Sequence, residues 1–163
     1  MVAANEIELP GVGGPETLRM RSRELPARGE DEVRVRVEAS GVSFAEQQMR
    51  LGKYYDQPAF PFVPGYDLVG TIEAGPGTGT RVAALTKTGG WADRVVLKAA
   101  DVVPVPDGVD PAEAETVVVN GLTAWRMLNR ETTAAAGDTV VVLGAAGGWE
   151  ARWCRSPAAG ASG

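Results

Sequence analysis

Thr139-Val140-Val141-Val142-Leu143-Gly144-Ala145-Ala146-Gly147-Gly148 is the most informative run of this 163-residue chain. Consecutive β-branched residues with no polar alternation suit a strand buried on both faces. Glycines directly after such a strand let the backbone turn tightly and approach a pyrophosphate, and the free N–H groups of a following helix would face the phosphates. An ordinary strand–turn unit has the same pattern, so the run alone leaves both readings open. The expected helix does not follow: the chain continues Trp149-Glu150-Ala151-Arg152-Trp153-Cys154-Arg155-Ser156-Pro157 and stops at Gly163.

Upstream of this run the chain is β-rich. Glu6-Ile7-Glu8-Leu9 and Thr17-Leu18-Arg19-Met20-Arg21 alternate around a glycine-rich turn, and Glu32-Val33-Arg34-Val35-Arg36-Val37-Glu38-Ala39 has strict period-2 patterning. That last run predicts a strand with valines inward and its charges on a solvated face. Ser43 is a candidate N-cap with Glu46 as its capping-box partner, for a short helix from Phe44 to Leu51 that Gly52 ends. Lys53-Tyr54-Tyr55 opens a loop through Pro58, Pro61 and Pro64, where the tyrosines either line a pocket or pack on prolines at the surface. Further strands are expected at Asp67 to Glu73, Thr80 to Leu85, Trp91 to Leu97 and Asp101 to Pro106; short strands parted by glycine turns indicate a barrel or sandwich. The character changes at Asp110, an N-cap followed by Pro111 and early acids. A second helix is expected over Asn120 to Asn129, with Leu122, Trp125, Met127 and Leu128 making apolar contacts.

Composition narrows the function classes. A net charge of −5 gives no electrostatic reason to bind nucleic acid or anionic lipid. No apolar run reaches membrane-spanning length and the first residues show no signal-peptide core. The single cysteine, Cys154, cannot form an internal disulfide, so a reducing cytoplasm is expected. Histidine is absent, which removes His-based acid–base catalysis and His metal ligation from this chain.

Several short patterns then occur in a fixed order: Ala39-Ser40-Gly41-Val42-Ser43-Phe44, Pro61-Phe62-Val63-Pro64-Gly65-Tyr66-Asp67-Leu68-Val69-Gly70, Gly79-Thr80-Arg81-Val82, Gly89-Gly90-Trp91-Ala92-Asp93, Val103-Pro104-Val105-Pro106-Asp107-Gly108, Asn120-Gly121-Leu122-Thr123-Ala124 and Gly144-Ala145-Ala146-Gly147-Gly148. In this order, over residues 1–148, the chain resembles the medium-chain dehydrogenase/reductase superfamily, in its zinc-free quinone oxidoreductase-like branch with enoyl reductases and VAT-1-like proteins. The resemblance implies a mainly β fold with some helix. A GroES-like, partly open β-barrel (1–110) is followed by a helical linker (111–137) and the first strand of an incomplete Rossmann domain (138–148).

It also implies hydride delivery from NADPH to a quinone or an α,β-unsaturated carbonyl, with cofactor and substrate in a cleft between domains. Carried over by motif, Tyr54 and Ser43 face the substrate as hydrogen-bonding groups for a developing enolate oxygen. Thr123 contacts the nicotinamide end, and Gly144, Gly147 and Gly148 approach the pyrophosphate. For Ser43 the cap role alone is the competing reading, and for Thr123 a helix-surface hydroxyl. Zinc-dependent relatives carry Cys where this chain has Ser43 and a His-Glu pair where it has Tyr66-Asp67, so no metal site is expected. A homodimer is the family's expectation for the full-length form; a non-catalytic GroES-like contact module, or a pseudogene product, is the alternative to an enzyme.

The resemblance stops at Gly148, where the family continues Val-Gly into an amphipathic helix. If Gly148 ends in G, then the codons TGG GAG of Trp149-Glu150, read one base earlier, become GTG GGA, which is Val-Gly. Residues 149–163 are therefore expected to be out-of-frame translation, leaving a chain truncated within its cofactor domain and inactive by itself.

Overall fold

The computed structural model describes residues 2–135 and 137–143. The chain divides into two compact units, Met1–Glu115 and Thr116–Gly163.

In the first unit, β1 (Ala3–Glu8) and β2 (Arg19–Glu24) form an antiparallel pair with Glu8 opposite Arg19. A five-stranded antiparallel sheet follows, built from β3 (Glu32–Ala39), β4 (Asp67–Ala74), β5 (Arg81–Leu85), β6 (Arg94–Lys98) and β7 (Val102–Pro104) in the order β6-β3-β4-β5-β7. Both sheets are open. Backbone bonds join them: Leu9 and Phe62 exchange N–H groups at 2.8 and 3.1 Å, Ile7 N–H donates to Trp91 O at 2.9 Å, and Asp93 N–H donates to Asn5 O at 2.9 Å. Mostly β with short helices is what the alternating segments predicted.

Period-2 patterning fixes the core. Val33 and Val35 of β3 are fully buried and pack with Leu68, Ile72, Val82, Ala84 and Val95. The charged face of β3 is in part the solvated surface expected of it, with Arg36 exposed, but Arg34 and Glu38 are half-buried and paired. Glu73 accepts from Arg34 Nε at 3.3 Å and Arg94 Nε at 3.2 Å, while Glu38 takes Thr71 Oγ1 at 2.7 Å and Arg81 Nε at 3.0 Å. The Thr71 hydrogen bond, with Arg81 beside it, holds the Glu38 carboxyl below its ordinary range. A second ion cluster sits on the β1–β2 pair. Glu6 is 2 % exposed and accepts from Arg21 Nε and Arg23 Nε, each at 2.6 Å. Without such partners a carboxylate this buried would be strongly destabilising.

Helix α1 (Phe44–Arg50) begins at Ser43 with both halves of the capping box formed and stops before Gly52, at φ 66°. The buried face of α1 is Glu46 and Met49; Phe44 is 72 % exposed. Gly65 carries φ 107°, and a Cβ there would lie 2.4 Å from Trp91 N, so only glycine fits the turn into β4.

Helix α2 (Pro111–Thr116) opens as predicted, Asp110 Oδ1 accepting from Ala112 N–H at 2.9 Å and Glu113 N–H at 3.2 Å. In the second unit a π-helical turn, Val117–Gly121, leads into α3 (Leu122–Asn129). Leu122, Trp125 and Met127 keep 51, 49 and 39 % of their surface exposed, and only Ala124 of α3 is buried. The expected strand over Thr139–Leu143 does not form: these residues have no strand conformation, and Val141 and Leu143 are 76 and 83 % exposed. A strand needs a neighbour to satisfy its N–H and C=O groups, and the second unit has none among its described residues.

Candidate functional site

Glu46 organises the polar cluster of the first unit. It is 3 % exposed, and its two oxygens face different parts of the chain. Oε2 accepts from Ser43 N–H at 2.8 Å and from the Ser43 hydroxyl; Oε1 accepts from Tyr66 N–H at 2.8 Å. One carboxylate thus closes the start of α1 and pins the residue that leads into β4. The Ser43 hydroxyl oxygen accepts from Ala45 N–H at 3.1 Å, so Ser43 is half-buried and fully used as a cap.

Tyr66 is fixed from its other side as well, its carbonyl accepting from Thr86 N–H at 2.8 Å and Lys87 N–H at 3.0 Å. Its hydroxyl lies 3.2 Å from the Tyr54 hydroxyl. The Tyr66 hydrogen bond, followed by burial, pushes the Tyr54 phenol well above its ordinary value, so it remains a protonated donor. The exposed Tyr55 ring leans against Tyr54, centroids 4.8 Å apart at 46°. In the tyrosine loop Tyr54 is half-buried in a polar contact and Tyr55 is 89 % exposed.

Asp67, next to Tyr66, is 5 % exposed. Burial pushes its carboxyl up to about 7, helped by a hydrogen bond and like charge from Glu115, against a Gly41 N–H that favours the charged form. Ser40 Oγ donates to the Asp67 carbonyl at 2.7 Å and Trp91 Nε1 donates to the Gly41 carbonyl at 2.8 Å, which holds the crossing of these loops. A separate open recess of about 340 Å³ lies among Ile7, Val37, Ala39, Val42, Trp91 and Ala92.

The structure brings Ser43 and Tyr54 into one network through Glu46 and Tyr66. Thr123 is half-buried on α3 in the second unit, and Gly144, Gly147 and Gly148 lie outside the described residues. Sequence reasoning used Glu46 only as a cap and Tyr66 only as the residue standing where zinc-binding relatives carry His. The available signal for Tyr66 was a bulky phenol immediately after Pro64-Gly65, at the mouth of a strand. Asp67 and Glu115 had no local signal, since their meeting depends on tertiary approach.

The alcohol dehydrogenase GroES-like domain pattern matches residues 29–107, the stretch that holds all of this network but Glu115. The chain belongs to the medium-chain dehydrogenase/reductase superfamily. Among its superfamily relatives, a quinone oxidoreductase of Lama guanicoe is 33% identical over 153 residues, covering 87% of this chain and 46% of the relative. A synaptic vesicle membrane protein VAT-1 homolog-like protein of Mus musculus is 32% identical over 148 residues, covering 87% of this chain and 36% of that protein. Among solved structures, the quinone oxidoreductase of Thermus thermophilus, also determined with NADPH, superposes with a TM-score of 0.81 at 38% identity, over 91% of this chain and 48% of the other. The chain spans less than half the length of these relatives. No helix among the described residues is long and apolar enough to cross a membrane.

Proposed function

We propose that residues 1–110 form the substrate-side domain of an NADPH-dependent quinone or enone reductase that works without zinc. The observation that carries this is the Tyr54–Tyr66 hydroxyl pair, 3.2 Å apart, with the Tyr66 backbone N–H held by the buried carboxylate of Glu46, whose other oxygen caps α1 at Ser43. Protonated phenols are suited to donating to a carbonyl oxygen whose charge grows as a hydride arrives. They are poor ligands for zinc, which prefers thiolate, imidazole and carboxylate donors. The donor chemistry at the positions where zinc-dependent relatives bind metal therefore supports a metal-free reaction.

NADPH, when bound, would supply the hydride. The described residues do not build a cradle for it, because residues 139–143 make no strand and all of them but Val142 are exposed. The assignment of NADPH rests on the family. The residues in place do the remainder: Tyr54 orients the carbonyl, and Ser43 and Glu46 hold the helix and strand that flank it. The proposed division has a linker over 111–137, the beginning of a cofactor domain over 138–148 and an out-of-frame segment over 149–163. Resequencing the locus just beyond the Gly148 codon checks that last assignment; an unshifted frame in clean reads would remove it.

Two measurements test the reading. This polypeptide titrated with NADPH by cofactor fluorescence should show negligible binding, and micromolar affinity would contradict the account of residues 138–163. A chain with the frame restored after Gly148 should oxidise NADPH in the presence of a quinone, and Tyr54→Phe in it should lower the rate by about a hundredfold. A second reading is a module that acts through contacts alone. Absence of quinone-dependent NADPH oxidation in the restored chain would favour it.

A further inference from the structure

We propose that Tyr66 supplies the second hydroxyl of a donor pair with Tyr54, and that this pair fixes a carbonyl oxygen of a planar conjugated substrate. Tyr66 would thus be a specificity-determining residue. The inference rests on the carbonyl-reductase reading of the site and adds a residue to it.

Two hydroxyls 3.2 Å apart hold two protons and use one between them. The hydroxyl that accepts becomes the stronger donor toward a third group, because hydrogen bonds in a chain polarise one another. The pair therefore offers a proton outward more effectively than either phenol alone. Its geometry is set in advance. The Tyr66 backbone is clamped between Glu46 Oε1 at 2.8 Å and the N–H groups of Thr86 and Lys87, just after β5, so little ordering is left for binding. Both rings are half-buried, which leaves them reachable, and the exposed Tyr55 ring beside them offers an aromatic face to a flat ligand.

Duroquinone, which has no free ring position to alkylate the protein, is the probe. With the full chain labelled at tyrosine Cζ, titration should shift both the Tyr54 and the Tyr66 carbon signals. Tyr66→Phe should weaken duroquinone binding about three- to tenfold, as the loss of one neutral hydrogen bond does. Tyr54→Phe should do the same, and the double variant should bind no worse than the weaker single one, because the two hydroxyls act as a unit. Ultraviolet titration of the phenols should show the Tyr54 ionisation moving down in Tyr66→Phe, a change that a purely structural Tyr66 contact would not couple to quinone affinity. If Tyr54→Phe weakens binding while Tyr66→Phe binds like the parent, or if the Tyr66 signal stays still, the inference is overturned and the carbonyl-site reading stands. If the parent chain does not bind duroquinone at millimolar concentration, the carbonyl-site reading falls and takes this inference with it.

Discussion

The two valine-rich runs of this chain have opposite fates. Val33 and Val35 alternate with charges and lie fully buried in β3, between β4 and β6. Val140 and Val141 are consecutive with no polar residue between them, yet they are 44 and 76 % exposed and form no strand. Hydrophobicity alone would rank the second run as the better core. The difference is in what each pattern requires. An alternating strand needs one apolar layer and tolerates water on the other side, where its arginines and glutamates pair. An unbroken apolar run needs cover on both faces and neighbours on both edges. The first unit supplies the former; the described residues of the second do not supply the latter.

The comparison breaks most easily at Leu68. It is fully buried, and Leu68→Ala should destabilise the fold by about 2–5 kcal/mol in urea melts followed by circular dichroism. A smaller loss would mean that the core of the first unit is as loose as the second. Glu46→Ala should follow, at about 1–3 kcal/mol, since it removes the cap partner and leaves the Tyr66 N–H without its acceptor. Glu46→Gln retains an acceptor for one of these contacts and should lose less.

Asp67 sharpens the contrast through pH. Its carboxyl titrates near 3.8 when unperturbed and near 7 in the fold, so between those values the folded state binds more protons than the unfolded one. Stability from this group is complete below about pH 4 and declines as pH rises toward 7, by at most about 1.4 kcal/mol per pH unit. Asp67→Asn should flatten that slope; an unchanged slope would show that another group carries it. The smallest effect is expected in the second unit, where Val141→Ala should change stability by no more than about 0.5 kcal/mol. A loss of several kcal/mol there would mean that this run packs against something after all.

Much of this was legible before any coordinates. The alternation in Glu32–Ala39, the Ser43–Glu46 box and the Asp110–Pro111 helix start are local patterns, and local geometry decides them. The other oxygen of Glu46 was not legible, because its partner, Tyr66, is twenty positions away. Nor was Glu6 in Glu6-Ile7-Glu8-Leu9, where alternation does not say that one glutamate is enclosed by two arginines from the next strand. In the second unit the sequence pattern described what the run would do in a complete sheet, and the outcome depended on neighbours that a local pattern does not contain.

The seam between the two sheets has a consequence for the order of folding. Asn5 is synthesised well before its partner, yet both its backbone N–H and its side-chain amide are satisfied by Asp93, 88 positions later. The opening hairpin must therefore wait, with its edge unmatched, until most of the first unit has been synthesised. Contacts closed over so long a span are slow to form.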